Sequence, residues 1–375
     1  MGVTAVICEY NPFHSGHEKQ LRIIKAARPD DAVICIMSRF FCQRGDAAVF
    51  TPEARAECAL LAGADAVLSL PSDGVIKDAA GFAENGVLAA GAIGADTLCF
   101  GSEAGDIDVV MKAAEEQMSE AFLERLDGMM KSDITRSRAS FLSELSGELG
   151  SNDILGVEYI KAIKKYGLSI RPETVKRDGG YYSDGSASAI REAILAGKGI
   201  YGVPGYAESA FNKEIGAGRV FSLDKAERAV LALLRTADIG DIARFASVNG
   251  ELAGIMIKAA LSAQSLGELI NASVRKRYSK SRIRRAILSV MLRIRKNEDN
   301  APAFLTLIGL SSGFSDSFSK IKKNSRIRIV SRISEAKAVD AAAYWTENRA
   351  AALYSLCGGD IGTAKDFITQ RPIVI

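Results

Sequence analysis

Short, continuously apolar runs alternate with helix-like segments over the first half of the chain. Strands are predicted at residues 3–8, 32–37, 66–70 and 97–100, and roughly at 170–176. Continuous apolar runs of this length are typical of strands buried on both faces of a parallel sheet. Helix-like segments, for example 52–62 and 79–90, lie between them. The alternation predicts an α/β fold with a doubly wound, mostly parallel sheet.

Two similar tripeptides support this arrangement. Gly63-Ala64-Asp65 and Gly94-Ala95-Asp96 each precede a predicted strand. Glycine is the usual residue for the left-handed turn that closes a helix, so each tripeptide is read as a helix end.

Apolar residues recur at helical spacing over residues 106–131, which predicts one long amphipathic helix between sheet elements. A segment rich in glycine, residues 197–205, is interpreted as a domain boundary. We therefore predict a nucleotide-binding domain at 1–200, with a helical insertion at about 106–150. A mainly α-helical, basic C-terminal domain follows at 201–375, where few strand signals occur.

The chain has 375 residues, of which 48% are hydrophobic and 25% charged, and a formal net charge of +3. This charge is too small to indicate a nucleic-acid partner without its distribution. No apolar run reaches the ~18 residues of a membrane span, and no basic segment precedes the first strand, so neither a span nor a signal peptide is predicted. Six cysteines without a CxxC pair are typical of a reduced, cytoplasmic protein.

The chain contains two histidines, His14 and His17, directly after the first predicted strand and on either side of Gly16. A strand that turns into a helix through a glycine-containing loop directs backbone N–H groups at an anion. Imidazoles three residues apart at a helix start can contact the same ligand and stabilise charge on a phosphate. A metal pair and two unrelated surface histidines are the alternatives, although no further ligand stands at metal spacing.

A second group of polar residues is Ser186, Ser188 and Arg191, which opens another predicted helix after a loop rich in Gly and Asp. A serine hydroxyl there caps the helix or binds a phosphate oxygen, and the arginine can reach the same anion. An ordinary helix cap is the alternative. Together with the histidine pair, the group favours triphosphate binding.

These segments resemble the HxGH nucleotidyltransferase superfamily and, more closely, the bacterial tRNA(Met) cytidine acetate ligase family. The HxGH pattern alone is specific only to the superfamily, whereas the ordered set is specific to the family. The segments that carry the resemblance are residues 9–17 (EYNPFHSGH), 43–45 (QRG), 55–57 (RAE), 63–65 (GAD), 100–103 (FGSE), 151–159 (SNDILGVEY), 176–177 (KR), 186–191 (SASAIR), 275–278 (RKRY) and 282–285 (RIRR).

The resemblance implies a Rossmann-like fold and a two-step reaction. Acetate and ATP give acetyl-adenylate and pyrophosphate, and the acetyl group then passes to N4 of the wobble cytidine of elongator tRNA(Met). Mg²⁺ is expected to arrive with the nucleotide, because no carboxylate cage and no protein metal site are visible.

The resemblance and the residue chemistry together give a set of site residues. His14, His17 and Arg191 are predicted to be catalytic. Contacts to ATP are predicted for Ile7, Cys8, Glu9, Tyr10, Asn11, Pro12, Phe13, His14, Ser15, Gly16, His17, Gly101, Asn152, Arg177, Ser186 and Ser188.

The sequence departs from the family pattern near predicted strand ends. Arg39 and Phe40 stand where Gly and Asn are usual, Thr51 where Lys is common, and Ser69 where an acid is usual. Because ligands bind at such ends, the departures bear on the acetate pocket more than on the adenylation site.

Ten Lys or Arg and no acid fall between residues 275 and 296, with the apolar positions on one helical face. A second basic run lies at 320–328. Such patches attract phosphate backbones, although a charge run is also the usual composition of a solvated helix face. With the resemblance, tRNA binding is predicted for Arg275, Lys276, Arg277, Arg282, Arg284 and Arg285. Tyr278 is a candidate base reader or a packed side chain.

Two other functions remain open. A small-molecule adenylyltransferase would use HxGH equally well but gives the basic segment no role. A non-catalytic tRNA-binding homologue would explain the departures at Arg39 and Thr51. The sequence indicates neither the oligomeric state nor a general base for acetyl transfer.

Overall fold

The computed structural model describes residues 1–147, 149–177, 186–296, 301–359 and 363–375. The Gly/Asp-rich loop at 178–185 lies outside the described residues.

Strands from both halves of the chain form one sheet of eight, in the order β5-β4-β1-β2-β3-β6-β7, with β8 paired to β6. The strands are β1 (Val3–Cys8), β2 (Ala32–Ser38), β3 (Ala66–Leu70), β4 (Thr97–Ser102), β5 (Arg171–Lys176), β6 (Leu305–Leu310), β7 (Ile329–Val330) and β8 (Ile373–Val374). β1 to β5 run parallel to one another, whereas β6 runs antiparallel to β3.

Helices cover the sheet and form most of the second half of the chain. They are α1 (Ser15–Ala27), α2 (Pro52–Leu61), α3 (Ser72–Val75), α4 (Ala79–Ala92), α5 (Ile107–Met118), α6 (Glu120–Ser132), α7 (Arg138–Ser146), α8 (Ser151–Lys165), α9 (Ala187–Leu195), α10 (Gly205–Gly216), α11 (Glu227–Arg235), α12 (Ile239–Ala243), α13 (Gly250–Ser262), α14 (Leu266–Ser273), α15 (Lys280–Leu292), α16 (Ser315–Asn324), α17 (Ile333–Ala336), α18 (Ala341–Ser355) and α19 (Ala364–Thr369). Short 3₁₀ turns occur at Leu223–Ala226 and Ser312–Phe314.

The predicted α/β fold and the five predicted strands are confirmed. Their continuous apolar runs are buried along almost their full length in β1, β2 and β3, as expected for central strands with helices on both faces. β4 continues two residues beyond the prediction, to Ser102, because its polar end still pairs with β5 up to Lys176.

Three strands in the last third of the chain were not predicted. β6 is the apolar run LTLIGL, buried on both faces, and it pairs with β3 from Ala66↔Leu310 to Ser69↔Thr306. Its composition is similar to that of β1 to β3. It was not predicted because the segments around it are rich in Ala and Leu and were interpreted as helical. The sheet therefore crosses the domain division predicted at residue 200, and that division stays a prediction.

The single amphipathic helix predicted at 106–131 is wrong in one respect, because the helix breaks at Ser119. Its backbone is extended (φ −69°, ψ 146°), so it ends α5 and begins α6. The Ser119 hydroxyl donates to the Glu116 carbonyl and accepts from the Phe122 N–H. A serine that bonds both helix ends locally competes with a continuous helix.

The chain order of the strands places a switch point between β1 and β4, since β2 and β3 lie on one side of β1 while β4 and β5 lie on the other. β1 pairs with β2 over six residues but with β4 only at Thr4↔Thr97 and Ala5↔Leu98. The carboxyl ends of β1 and β4 therefore separate. Ligands bind at such a crevice in open α/β sheets, and we call this one the switch-point crevice.

Candidate active site

The loop from Glu9 to His14 leaves β1 at the switch-point crevice and enters α1. Tyr10 has a left-handed backbone (φ 46°), and the Asn11–Pro12 peptide bond is cis. The Asn11 side chain accepts from the Val49 N–H at 2.8 Å and donates to the Cys42 Sγ at 3.2 Å. These bonds fix the loop against residues 42–49.

The two histidines form the N-terminal cap of α1. The His14 Nδ1 accepts from the Gly16 N–H at 3.1 Å, and the His17 Nδ1 accepts from the His14 N–H at 3.2 Å. Their rings stack with centroids 3.7 Å apart. Because each Nδ1 is an acceptor, the proton of each neutral ring lies on Nε2, which can donate to a ligand.

Both rings are neutral near pH 7. Burial, and then the positive charge of Arg177, lower the pKa of His14 to about 4. Burial, His14 and Arg177 lower the pKa of His17 well below its usual value. The crevice thus holds two N–H donors without carrying imidazolium charge before a ligand enters.

Gly16 is required for the position of the His14 ring. A Cβ on residue 16 would lie 2.9 Å from the His14 Cε1 and 3.1 Å from its Nδ1, which is closer than carbon atoms pack. The glycine of the HxGH pattern therefore makes room for the capping imidazole.

Arg177 and Gly101 meet on the other side of the crevice, after β5 and on β4. A Cβ on Gly101 would lie 3.4 Å from the Arg177 Cγ, so the arginine stem crosses the glycine backbone. The positive charge of Arg177 contributes to lowering the pKa of both histidines. The structure thus brings together the histidine pair, Gly101 and Arg177, which are all predicted from the sequence to contact ATP.

The Ser186–Arg191 group also contacts the loop from Glu9 to His14, which we call the motif loop. The Arg191 guanidinium donates to the Asn11 carbonyl at 2.8 Å and to the Ser188 hydroxyl at 3.3 Å. The Ser186 Oγ accepts from the Ala189 N–H, which is the ordinary helix cap that the sequence left open. Arg191 therefore joins α9 to the loop, next to the histidines.

Other predicted contact residues mainly support this loop. Ser15 bonds the Gly202 carbonyl through both its N–H and its hydroxyl, each at 3.1 Å. The Glu9 carboxylate accepts from the Gln43 N–H at 2.6 Å, and burial raises its pKa against the opposing charges of Arg191, Arg44 and Arg55. Phe13 is fully buried.

The remaining predicted residues lie along the first strand and the start of α8. Ile7 packs against Gly86 of α4, and burial raises the pKa of the Cys8 thiol, which stays protonated. The Asn152 side chain donates to the Glu103 carboxylate, which also accepts from the Asn152 N–H at 3.1 Å. Glu103 therefore caps α8 beside the end of β4.

Arg55 is a central residue that residue-level reasoning missed. It is fully buried on α2, and its guanidinium donates to the carbonyls of Phe50, Glu9, Ser38 and Arg39. These carbonyls belong to the loops after β1 and β2 and to the segment before α2. Only the RAE resemblance marked this position, because a lone arginine among apolar helix residues gives no pattern of its own.

The departures from the family pattern lie just after β2, at the start of α2 and within β3. Arg39 is 2% exposed, and its Nη2 donates to the Phe367 carbonyl at 3.3 Å. Among the described residues, its Nε and Nη1 have no hydrogen-bond partner. Burial lowers its pKa, opposed by the charges of Glu53 and Glu347. Thr51 caps α2, and Ser69 is buried.

The predicted RNA-binding residues divide into two groups. Arg275, Lys276 and Arg277 are exposed, although Arg277 lies 3.7 Å from Glu251. Arg284 pairs with Asp46 at 3.0 Å, and the buried Arg285 donates to the Gln43 carbonyl. These two therefore attach α15 to the loop beside Glu9.

Two further predicted residues, Tyr278 and Arg282, lie just before α15 and in its first turn. Tyr278 is fully buried, and its hydroxyl bonds Asn249 and Glu251, so it is a packed side chain rather than a base reader. Arg282 covers its ring at 4.8 Å.

Within the described ranges, no three His, Cys, Asp or Glu side chains cluster at metal-binding distances. Across those same ranges, every helix is too short or too polar to cross a bilayer. All six cysteines are free thiols.

The geometry agrees with the comparisons. The family model of HIGH nucleotidyl transferases matches residues 1–366. A tRNA(Met) cytidine acetate ligase of Fervidobacterium nodosum is 33% identical, over 89% of this chain and 84% of that protein. The chain belongs to the tRNA(Met) cytidine acetate ligase family of HIGH nucleotidyl transferases.

Other members of this family agree over the full length. The ligase of Clostridium perfringens is 31% identical over 100% of both chains. The crystal structure of Thermotoga maritima TmcAL bound with alpha-thio ATP has a TM-score of 0.90 and 27% identity, with both chains fully covered. The apo form of that protein gives a TM-score of 0.89.

Proposed function

We propose that the chain is a tRNA(Met) cytidine acetate ligase. It activates acetate with ATP and acetylates N4 of the wobble cytidine of elongator tRNA(Met). The observation that carries the proposal is the pair of neutral Nε2–H imidazoles at the start of α1, with Arg177 across the switch-point crevice. The names of the full-length relatives support the same substrates.

In the first step, an acetate oxygen attacks the α-phosphorus of ATP, and the bond from that phosphorus to the bridging oxygen of the β-phosphate breaks. Pyrophosphate leaves with the bond electrons. Such displacement needs in-line positioning and charge stabilisation rather than a protein nucleophile. His14 and His17 donate to phosphate oxygens as their charge grows, and Arg177 contributes a fixed positive charge.

In the second step, N4 of the cytidine attacks the acetyl carbonyl carbon. The carbon–oxygen bond to AMP breaks, AMP leaves with the electrons, and the amine proton passes to solvent. The side chains of Arg191 and Asn11 hold the motif loop in place during both steps, and the main task left to the protein is the approach geometry.

The direct contacts to ATP stay a prediction from the sequence, for residues 7–17, Gly101, Asn152, Arg177, Ser186 and Ser188. The packing of Ile7 against Gly86, the burial of Phe13 and the helix-cap bond of Ser186 give these three a supporting position. Mg²⁺ would be held by the triphosphate oxygens of ATP and would supply charge neutralisation there. Free thiols at all six cysteines suit the reducing cytoplasm, where tRNA is found.

The test combines the protein, ATP, labelled acetate and an elongator tRNA(Met) transcript. We expect acetate-dependent AMP formation and label on the tRNA. AMP transfer to a phosphorylated small acceptor without acetate would support the adenylyltransferase alternative. Binding of tRNA without any ATP turnover would support the non-catalytic alternative, and either result contradicts the proposal.

His14→Asn is the matched variant for the catalytic step. Asparagine is a good N-cap and keeps an acceptor for the Gly16 N–H, but it lacks the Nε2–H donor of the imidazole. Loss of one such donor typically lowers kcat about 10²- to 10³-fold. Acetate-dependent ATP–pyrophosphate exchange measures the loss, and full exchange activity in this variant would refute the assigned role.

A further inference from the structure

A second concave surface lies outside the switch-point crevice. It is a groove of about 940 Å³ between the helices α3, α12, α15 and α18. Its walls come from residues 73–77, 241–246, 290–295, 301–303 and 340–349. We call it the α18 groove, and neither the histidine pair nor the predicted basic face at 275–285 lines it.

The walls of the α18 groove carry several cations. They are Lys77, Arg244, Arg293, Arg295 and Arg349. Arg293 and Arg349 both line the groove, and the like charge of Arg293 adds to burial in lowering the pKa of Arg349. In the described part of the chain, no carboxylate lies within 4.0 Å of either guanidinium. Two guanidinium groups that share one groove and have no acidic partner are suited to bind an anion.

Three carboxylates also face the α18 groove, but each has another partner. Asp241 pairs with Arg244 at 3.5 Å, and Asp340 accepts from the Ala343 N–H at 2.9 Å as the cap of α18. Burial raises the pKa of Asp73 against the charge of Lys77. The cations around Arg293 and Arg349 therefore dominate that end of the groove.

The same wall presents an aromatic surface. Trp345 is the single tryptophan of the chain. It lies on α18, lines the groove and is 50% exposed. Tyr344 packs edge-on against its ring with centroids 5.3 Å apart. Arg349 follows four residues later, one helical turn away on the same face. An exposed aromatic ring that shares a groove with two guanidinium groups is suited to bind unpaired nucleotides, because the ring stacks on a base and the guanidinium groups contact the phosphates.

Gln43 connects the α18 groove to the adenylation site. Gln43 donates through its Nε2 to the carbonyl of Lys77, which lines the groove, and through its backbone N–H to Glu9 of the motif loop. On its inner side, α18 is fixed to the end of β3, because the Glu347 carboxylate accepts from the Ser72 N–H.

We propose that the α18 groove binds an unpaired stretch of RNA, with one base stacked on Trp345 and the flanking phosphates at Arg293 and Arg349. The inference deepens the proposed function and rests on it, since it names the surface that holds the tRNA beside the acetylation site. The positive charge and the exposed ring of Trp345 favour RNA over an acidic polypeptide, which lacks a base to stack.

The test uses the fluorescence of the single tryptophan in the intact protein. A titration with an elongator tRNA(Met) transcript is expected to quench Trp345 saturably, and single-stranded RNA of the anticodon arm should do the same. Trp345→Ala is expected to weaken tRNA binding about tenfold and to raise KM for tRNA, while Trp345→Phe keeps most of the affinity. Arg293→Ala combined with Arg349→Ala should lower the slope of log affinity against log salt by about 2.

Lys112→Glu, an exposed cation on α5, is the charge control and should change neither binding nor quenching by more than twofold. Thermal melting of each variant shows that it is folded. Unchanged affinity in both the Trp345→Ala variant and the double arginine variant overturns the proposal, as does quenching by polyglutamate but not by RNA. Binding with quenching but no acetate-dependent AMP formation would leave the groove assigned and refute the ligase function alone.

Discussion

Gly16→Ala separates catalysis from stability at the motif. A methyl group at residue 16 would lie 2.9 Å from the His14 Cε1, so the imidazole must move or lose its bond to the residue 16 N–H. Loss of a helix cap costs about 1 kcal/mol, whereas Gly→Ala within a helix gains about 1 kcal/mol. The free energy of unfolding is therefore expected to change by less than about 1 kcal/mol.

The activity should respond much more strongly. Movement of the His14 ring withdraws an N–H donor from the place where charge develops, and such a loss typically lowers kcat about 10²- to 10³-fold. Acetate-dependent ATP–pyrophosphate exchange measures the activity, and urea unfolding measures the stability. We expect near-normal unfolding together with a severe loss of exchange.

Gly267→Ala is the matched control. Gly267 holds the same second position of a helix, α14, whose N-cap is Ser265, and a Cβ there would lie 3.9 Å from the Ser265 Oγ. That substitution should raise the free energy of unfolding by up to about 1 kcal/mol and leave exchange unchanged. Exchange in Gly16→Ala within threefold of the wild type would refute the argument that Gly16 positions the imidazole.

Three further predictions concern buried charge. The folded pKa of His14, about 4, lies below the unfolded value of 6.5, so its contribution to stability is full above pH 6.5 and falls by about 3 kcal/mol as the pH drops to 4. Between pH 7.5 and pH 4, the free energy of unfolding in urea should therefore change less in His14→Asn than in the wild type. An equal change in both proteins would contradict this. Arg55→Met leaves buried carbonyls without donors and should lower the free energy of unfolding by about 4 kcal/mol, with Arg55→Lys intermediate; a loss below about 1 kcal/mol would exclude the central role of Arg55. Burial raises the pKa of Glu347 to about 6, above its unfolded value of 4.5, so the ionised carboxylate destabilises the fold above pH 6. Glu347→Gln should therefore raise the free energy of unfolding by about 2 kcal/mol at pH 8 and leave it unchanged below pH 4.5. Stabilisation that does not vary with pH would count against this.

The parallel half of the sheet and the place of the histidine pair after its first strand could be predicted because their signals are local. β1 to β3 are apolar runs of five to seven residues with helices between them, and the histidine pair follows the first run directly. Chain order then fixes where β1 meets β4. The capping of α1 by His14 and His17 was not predicted, because serine, threonine, asparagine and aspartate are the usual N-cap residues.

The unpredicted features depend on contacts between distant residues. β6 is separated from β3 by most of the chain, so no periodicity announces their pairing. Arg55 acts through four carbonyls that share no sequence pattern with it, and Ser119 breaks a helix whose apolar spacing continues across it. Such features follow from tertiary geometry, which local composition does not encode.

The pairing of β3 with β6 also has a consequence for biosynthesis. During translation, β3 emerges from the ribosome long before Leu305–Leu310 is made, so its outer edge stays open while the helices from α5 to α15 are still being added. An unpaired apolar strand edge invites association with other chains. Fragments that stop before β6 should therefore aggregate more readily than the 375-residue chain.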